Sequence, residues 1–554
     1  MRASTFAAFC SILLSPNAAE ATLVTDQAAV AIGKEFDFVI VGAGLAGLTV
    51  ANKLSAKNHS ILIIEAGPDG SWNDAIRYAG ALSWPPAFCN RNYSQYDENG
   101  NKMPRPIAAG GCIGGSTSIN GMVWYRPTRA EIDRLETLGN PGWNWDTLEP
   151  LMEAMERNTP PTEEQVLQGA SYDPDVHGYH GLVNTSFFTP MRIPKAIRWY
   201  KEALPAAFSG LRIGNDLSSR TSVVSASTSW TIWLETSTGR MRRSSAADAL
   251  LWAPSQQRKT LTVLANHTVA SILFDHGTTT ARGVIFTDAA SKDAHRNMYR
   301  VQAQKGVILA AGTLGTAPIL ERSGIGNPRI LTAAKVHQLV DLPGVGANLN
   351  ASAFDSICGI NPSLTFTGPT WSNGVGIGRA SSIAASLAQP STLESRAQSL
   401  VNSGAAVNLE GARMILNTTI ELILKMPIAE VVAASYPTSL YCPFWPLMPL
   451  SRGHIHIVSS DPFKEAVITP RFLTDVFDQQ VAIATVRRIR NLFSDKVFDG
   501  IVEDAYHYPP LGRNATDSDY LEWLRDTADG ASHWIGTTAM LPRALGGVVD
   551  SRLR

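Results

Sequence analysis

The chain has 554 residues, of which 44% are hydrophobic and 17% charged. A chain well past roughly 250–300 residues outgrows a single core, so more than one domain is expected, and this apolar content excludes a disordered or low-complexity protein. Lys and Arg total 47 against 48 Asp and Glu, a formal net charge of −1, which offers no field to attract nucleic acid or an anionic membrane.

In chain order, the first segment reads as a targeting signal. Arg2, the apolar run over residues 6–14 and the small-x-small triplet Ala19-Glu20-Ala21 predict a secretory signal peptide over residues 1–21. Sequons at Asn58, Asn92, Asn184, Asn266, Asn350, Asn417 and Asn514 agree with a secreted protein or one of the secretory lumen. No later stretch reaches the ~18 charge-free apolar residues of a membrane span. The nearest, residues 415–443, is interrupted by Glu421, Lys425 and Glu430. Beyond the signal lie Cys89, Cys112, Cys358 and Cys442. Their spacing matches no zinc pattern, and they allow three disulfide pairings or buried thiols.

Residues 36–41, Phe-Asp-Phe-Val-Ile-Val, predict a buried parallel strand. The run passes directly into Gly42-Ala43-Gly44-Leu45-Ala46-Gly47, and a helical pattern follows with Leu48, Ala51 and Leu54 on one face. Residues 60–65 predict a second strand ending in Glu65. This βαβ unit carries a dinucleotide fingerprint: Gly42 permits the tight turn, Gly44 lets backbone approach a pyrophosphate at the helix N-terminus, and Gly47 lets helix and strand pack closely. Glu65 is placed to accept hydrogen bonds from ribose hydroxyls, and its charge disfavours the 2′-phosphate of NADP. FAD and NAD share the fingerprint, so the motif alone leaves both open.

Residues 110–127 are too glycine-dense for ordinary helix or strand, and paired glycines let backbone N–H groups converge on a flat or anionic ligand. With Leu138-Gly139-Asn140-Pro141-Gly142-Trp143-Asn144-Trp145, the stretch resembles the N-terminal signature of the glucose–methanol–choline (GMC) flavin oxidoreductases. It is most similar to the secreted fungal glucose-oxidase, aryl-alcohol-oxidase and patulin-synthase branches. Residues 310–326 resemble the family's second signature, with Ala317 where proline is usual and Pro318 one place later; a small backbone adjustment is expected. Residues 243–249, 261–264, 341–349 and 451–462 match in place and order, so the resemblance spans residues 36–554.

The resemblance implies an α/β fold, a Rossmann-like FAD-binding domain interleaved with an α+β substrate domain of antiparallel sheet and helices. The N-terminal FAD-binding region, with interleaved substrate segments, is placed at residues 35–345, a substrate-domain or lid segment at 346–445 and the C-terminal region at 446–554. Residues 383–411, rich in Ala, Ser and Gln, are predicted helical. FAD is the implied cofactor, held at positions matching Gly42, Gly44, Leu45, Ala46, Gly47, Glu65 and Ala66. Asn120, Gly121, Met122 and Val123 match the loop along the flavin ring, and Val269 a position near the adenine.

The segment Ala531-Ser532-His533-Trp534-Ile535-Gly536 resembles the family's catalytic histidine motif and puts His533 in the position of the active-site base. An alcohol hydroxyl must lose its proton as hydride leaves the carbon, and an imidazole titrating near neutrality can accept it. The implied partners are a small-molecule alcohol and oxygen or another electron acceptor. No metal is expected: His177 and His180 sit in a Gly-containing turn without a third ligand near, and His454 and His456 alternate along a predicted strand.

One departure stands out. The sequence stops at Arg554, where the family continues into a strand, an Asp-containing turn, a helix and a second active-site histidine or asparagine, so that second residue is unassigned. A reading frame cut short at a missed exon, an inactive homologue, or completion by a partner chain each account for it. The functional expectation is FAD-dependent oxidation of an alcohol to an aldehyde, ketone or lactone, with fungal secondary metabolism as one setting. A non-redox cyclase on the same scaffold is the alternative.

Overall fold

The predicted βαβ unit forms the centre of a seven-stranded sheet. Its strands in chain order are β1 (Leu23–Thr25), β2 (Glu35–Val41), β3 (Ile61–Ile64), β4 (Leu261–Leu264), β5 (His267–Phe274), β6 (Ala281–Asp288) and β7 (Tyr299–Leu309), and their spatial order is β1-β4-β3-β2-β7-β6-β5. The first five in that order are parallel and the last two are antiparallel additions. A parallel sheet is stable when both faces are covered, which is why its strands read as unbroken apolar runs. The two faces separate with period two. Ile40, Ile61, Ile63 and Val263 enter one core cluster, while Val39, Val41, Leu62, Ile64 and Leu264 enter another.

This is a computed structural model, and it describes residues 22–79, 86–191, 195–208, 211–218, 224–227, 229–253, 256–290, 297–351, 357–360, 370–372, 390–436, 439–499, 502–512, 514–530 and 532–554. The signal peptide read over residues 1–21 lies outside the described residues.

Strand β7 serves two pairings. Residues 299–302 pair antiparallel with β6, and from Gln302 to Leu309 the strand runs parallel to β2, with a register shift between Ala303 and Gly306. Helix α1 (Leu45–Ser55) follows β2 and buries Gly47, Leu48, Ala51, Asn52 and Ser55. Helix α2 (Gly312–Arg322) follows β7. Pro318 and Ala317 are both buried inside it, so the displaced proline is accommodated without breaking the helix.

The second sheet is wholly antiparallel. Its strands are β8 (Ile357–Ile360), β9 (Thr370–Ser372), β10 (Ala433–Tyr436), β11 (Ser439–Tyr441) and β12 (Val502–Tyr508), ordered β9-β10-β11-β8-β12. The predicted helical run over residues 383–411 is two elements rather than one. It contains α3 (Pro390–Asn402) and the start of α4 (Leu409–Lys425), separated by a turn, and residues 383–389 lie outside the described residues.

Of the possible cysteine pairings, Cys89 is joined to Cys112, and Cys442 is a buried thiol. His177 bridges two buried carboxylates: Nδ1 is 2.8 Å from Glu156 Oε1 and Nε2 is 3.0 Å from Asp216 Oδ2. Arg126 adds a second cation, 2.7 Å from Glu156 Oε2. The carboxylates hold His177 protonated, raising its pKa to about 9 against the desolvation that opposes it. Among the described residues, no helix is long and apolar enough to cross a membrane.

Candidate functional site

Strands β3, β2 and β7 are neighbours and run the same way, so their carboxyl ends lie side by side. The helix after β2 leads to β3 on one side, and the helix after β7 (Gly312–Arg322) packs on β5 on the other, the position where open α/β sheets form a ligand crevice. After β2, Gly42 takes φ +102°, and a Cβ there would lie 2.5 Å from the Ala310 carbonyl oxygen just beyond β7. The turn is therefore closed on its protein side.

It is open on the other side. Gly44 caps α1 without any side-chain hydrogen bond, and a Cβ on it would meet nothing nearer than Gly115 Cα at 4.0 Å. Leu45 is 57% exposed and Ala46 is exposed. The first amides of α1, which have no intrahelical partner, thus face accessible space at the positive end of a helix. Among the described residues no side chain comes within 4 Å of a Cβ built on Gly44, so these residues fit a dinucleotide.

Glu65 ends β3 and is buried. Its Oε2 accepts from the Ala43 N–H at 2.7 Å and its Oε1 from the Gly67 N–H at 2.8 Å. Burial pushes its pKa up while these amides pull against it. Glu65 therefore ties the glycine turn to the end of β3, a bracing role that its spacing from Gly42 does not reveal. Ala66 beside it is half-buried. The next strand, β5, starts here too, since the His267 N–H donates to the Glu65 carbonyl. Val269, two residues on, puts its side chain in the core.

The second glycine stretch lies against the first. The Gly114 N–H donates to the Ala43 carbonyl at 2.8 Å. Gly115 has φ +55°, and a Cβ on it would be 2.9 Å from Gly44 Cα. The chain then reaches Asn120 and Gly121, both exposed, and Met122 and Val123, both half-buried. Met122 has φ +63°, an unusual conformation for a non-glycine residue. The loop is held from below by Arg243, which donates to the Asn120 carbonyl at 2.7 Å and to its Oδ1 at 2.8 Å. Burial lowers the Arg243 pKa to about 10.

His533 is exposed, and its two neighbours are fastened to different walls. The Ser532 hydroxyl donates to the Ala108 carbonyl at 2.7 Å, on the strand Ile107–Gly110 that feeds the glycine stretch. The Trp534 carbonyl accepts from the Thr313 hydroxyl at 2.6 Å, and the Thr537 hydroxyl donates back to the Thr313 carbonyl at 2.7 Å. Thr313 is the second residue of α2. The histidine motif is thereby strapped across the carboxyl ends of the strands, next to the turn that meets Gly42. Among the described residues the His533 ring nitrogens make no hydrogen bond. Partial desolvation holds the ring's pKa below the usual imidazole range.

Three further residues border this site: Trp445 and Glu430 lie in no motif, and Tyr125 lies within the stretch 110–127 without an assigned role. The Trp445 ring lies 6.1 Å from the His533 ring, centroid to centroid. Trp445 is paired across a two-stranded ladder with Glu430, whose carboxyl accepts from the Tyr125 hydroxyl at 2.7 Å. Burial pushes Glu430 up to about 7 and Tyr125 well above its ordinary value. Tyr125 follows the Asn120–Val123 loop in sequence, so the chain returns from that loop to the surroundings of His533. Of the other histidines weighed from the sequence, His456 is 2.6 Å from Glu321 and stacks on His454, and His177 sits between its carboxylates. Among the described residues no group of His, Cys, Asp and Glu is arranged to hold a metal ion.

Comparison with known proteins gives a consistent result. Residues 36–353 match the N-terminal family model described as GMC oxidoreductase, and residues 449–554 match the C-terminal one. Glucose oxidase 2 of Penicillium expansum is 30% identical, over 97% of this chain and 88% of the relative. The glucose oxidase-like protein fsoC of Humicola fuscoatra is 32% identical, over 94% of this chain and 88% of the relative. Among solved structures, an FAD-dependent oxidoreductase from Chaetomium thermophilum superposes with a TM-score of 0.74 at 25% identity, covering 94% of this chain and 92% of that one. A fungal aryl-alcohol oxidase superposes with a TM-score of 0.74 at 21% identity over the same shares.

Proposed function

The chain belongs to the GMC oxidoreductase family, an FAD-dependent oxidoreductase acting on CH–OH groups, and from that premise we propose that it oxidises a small alcohol to an aldehyde, ketone or lactone with His533 as the base. The observation that carries this reading is the double anchoring of the histidine motif, by Ser532 to Ala108 and by Trp534 to Thr313. It ties His533 to both chain segments that border the glycine turn.

FAD, when bound, supplies the two-electron acceptor for the hydride that leaves the alcohol carbon. Gly42, Gly44, Leu45, Ala46 and Gly47 offer its diphosphate the amides of α1. Glu65, while bracing the turn, keeps lone pairs on both oxygens for ribose hydroxyls, with Ala66 and Val269 beside it toward the adenine. Asn120, Gly121, Met122 and Val123 form the surface for the flavin ring. His533 accepts the hydroxyl proton at a ring nitrogen. Its lowered pKa keeps the ring neutral, and so able to accept, at pH 7. Trp445 limits where the substrate carbon can sit beside that nitrogen, and the relatives named glucose oxidases support oxygen as the electron acceptor.

The test uses the purified holoprotein, which should be yellow and should bleach on anaerobic mixing with an alcohol substrate. The product should be lighter by two hydrogens. A colourless full-length protein overturns the reading, and a product lighter by one water replaces it with a cyclase. We infer in addition that residues 1–21 direct secretion and that Asn58, Asn92, Asn417 and Asn514, all exposed, are the sequons open to glycans. A mobility shift on glycosidase treatment of the secreted protein checks this.

A further inference from the structure

The six residues Gly110-Gly111-Cys112-Ile113-Gly114-Gly115 lie against the turn that receives the diphosphate, yet only two of them have side chains with which to fix the loop. Ile113 is fully buried in the core beneath β2 and β3. Cys112 is fully buried on the other side of the loop, in a cluster whose other buried members among the described residues are Ile76 and Cys89, with Ile119 and Trp252 packed around it. Glycine-rich backbone has more conformational freedom to lose than any other, so such a loop holds one shape only where it is tied.

The ties on the inner side are the Gly114 N–H to the Ala43 carbonyl at 2.8 Å and the Ile113 N–H to the Pro68 carbonyl at 3.0 Å. On the outer side they are the antiparallel pairing of Gly110 with Asn90, the Gly111 N–H to the Cys89 carbonyl at 2.8 Å, and the Cys89–Cys112 disulfide, with 4.9 Å between Cα atoms. Among the described residues that cluster buries only Ile76 besides the two cysteines, so the described apolar packing there is slight, and the disulfide adds a covalent constraint to the hydrogen bonds of the outer face. Losing it would leave the outer side of Gly110–Gly115 to hydrogen bonds alone and loosen the stretch against Gly44, whose Cα lies against Gly115.

We propose that the Cys89–Cys112 cross-link is a positioning device for the cofactor: it holds the second glycine stretch against the first, and retention of FAD depends on its being intact. The inference rests on FAD occupying this site, so it is tested only on protein that already shows bound flavin; its absence at the start is a failure of the functional reading, not of this one.

The experiment compares flavin release from three preparations of the holoprotein: the oxidised wild type, the wild type reduced by a phosphine with thiol labelling to confirm that Cys89 and Cys112 are freed, and the double variant Cys89→Ala/Cys112→Val, which replaces buried volume without a covalent bond. Release is followed as the appearance of free-flavin fluorescence after dilution. Reduced protein and double variant should each release FAD at least tenfold faster than the oxidised wild type, with far-UV circular dichroism unchanged and retention restored by excess FAD. If the reduced protein, or a folded double variant, releases flavin at the wild-type rate, the proposal is wrong. Should the double variant fail to fold, the labelled, reduced wild type decides the question alone. Should the reductant not reach the buried bond, the folded double variant decides it.

Discussion

On the cofactor side the chain presents backbone: the Gly42 turn, the open amides of α1, and the Gly114–Gly115 stretch stacked on Gly44. Around His533 it presents side chains: the imidazole itself, the Trp445 ring, and the Tyr125–Glu430 pair. A diphosphate carries the same charge and shape in every dinucleotide, so a fixed backbone geometry suffices for it. An alcohol has to be told from other alcohols, and side chains supply that. The two sides should therefore respond differently to substitution and to pH.

The largest separation is expected from His533→Ala. Turnover should fall by roughly 10²–10⁴-fold, the usual contribution of a general base, while the flavin absorbance of the purified protein stays at the wild-type level. Loss of flavin together with activity would break the comparison, because it would mean that the two sides do not act separately.

The pH response should come next. Glu430 has its folded pKa raised to about 7, so the stability it contributes is fully present below its unfolded value near 4.5 and is lost as pH rises through 7; the shift corresponds to about 3 kcal/mol. His177 is also raised, to about 9. Its contribution is complete below about 6.5 and disappears as pH rises through 9, again about 3 kcal/mol. Denaturant unfolding of Glu430→Gln between pH 4.5 and 7 should show a flatter profile than the wild type, and His177→Gln should do the same between pH 6.5 and 9. Unaltered slopes in both variants would remove these groups from the account.

A smaller effect is expected on the backbone side. A Cβ at position 47 would lie 2.0 Å from the Gly42 carbonyl oxygen. Gly47→Ala should cost about 1–3 kcal/mol by overpacking and reduce the flavin content of purified protein, with KM for the alcohol unchanged in the fraction that retains flavin. The smallest should be Val269→Ala, roughly 1 kcal/mol from lost core volume, measured as a shift in denaturation midpoint with little change in flavin affinity if only its backbone faces the adenine.

The same division explains what could be read from the sequence. The spacing of Gly42, Gly44 and Gly47 is local and has one mechanical meaning, so the turn, the helix after it and the strands around it were legible. The antiparallel addition of β6 and β5 was not, because nothing within residues 281–288 says that its partner is the first part of β7 rather than another strand. Tyr125, Glu430 and Trp445 lie as far as 320 residues apart and follow no period, so only folding brings them together. Glu65 was legible as a carboxylate at the right spacing but not as the brace across Ala43 and Gly67. The cysteines were countable, but pairing Cys89 with Cys112 required knowing that the glycine stretch passes beside the turn at residues 87–89.

Strand β7 closes the parallel sheet by pairing with β2, and the two are separated by about 260 residues of chain. During synthesis, at 5–20 residues per second, β2 waits on the order of 10–50 s with that edge unsatisfied. An apolar strand with an open edge is a template for unwanted pairing, so the nascent protein is most vulnerable in the interval before residues 299–309 leave the ribosome. Shielding by chaperones, or slow translation once β7 has emerged, should affect the yield of this protein more than any change at its finished surface.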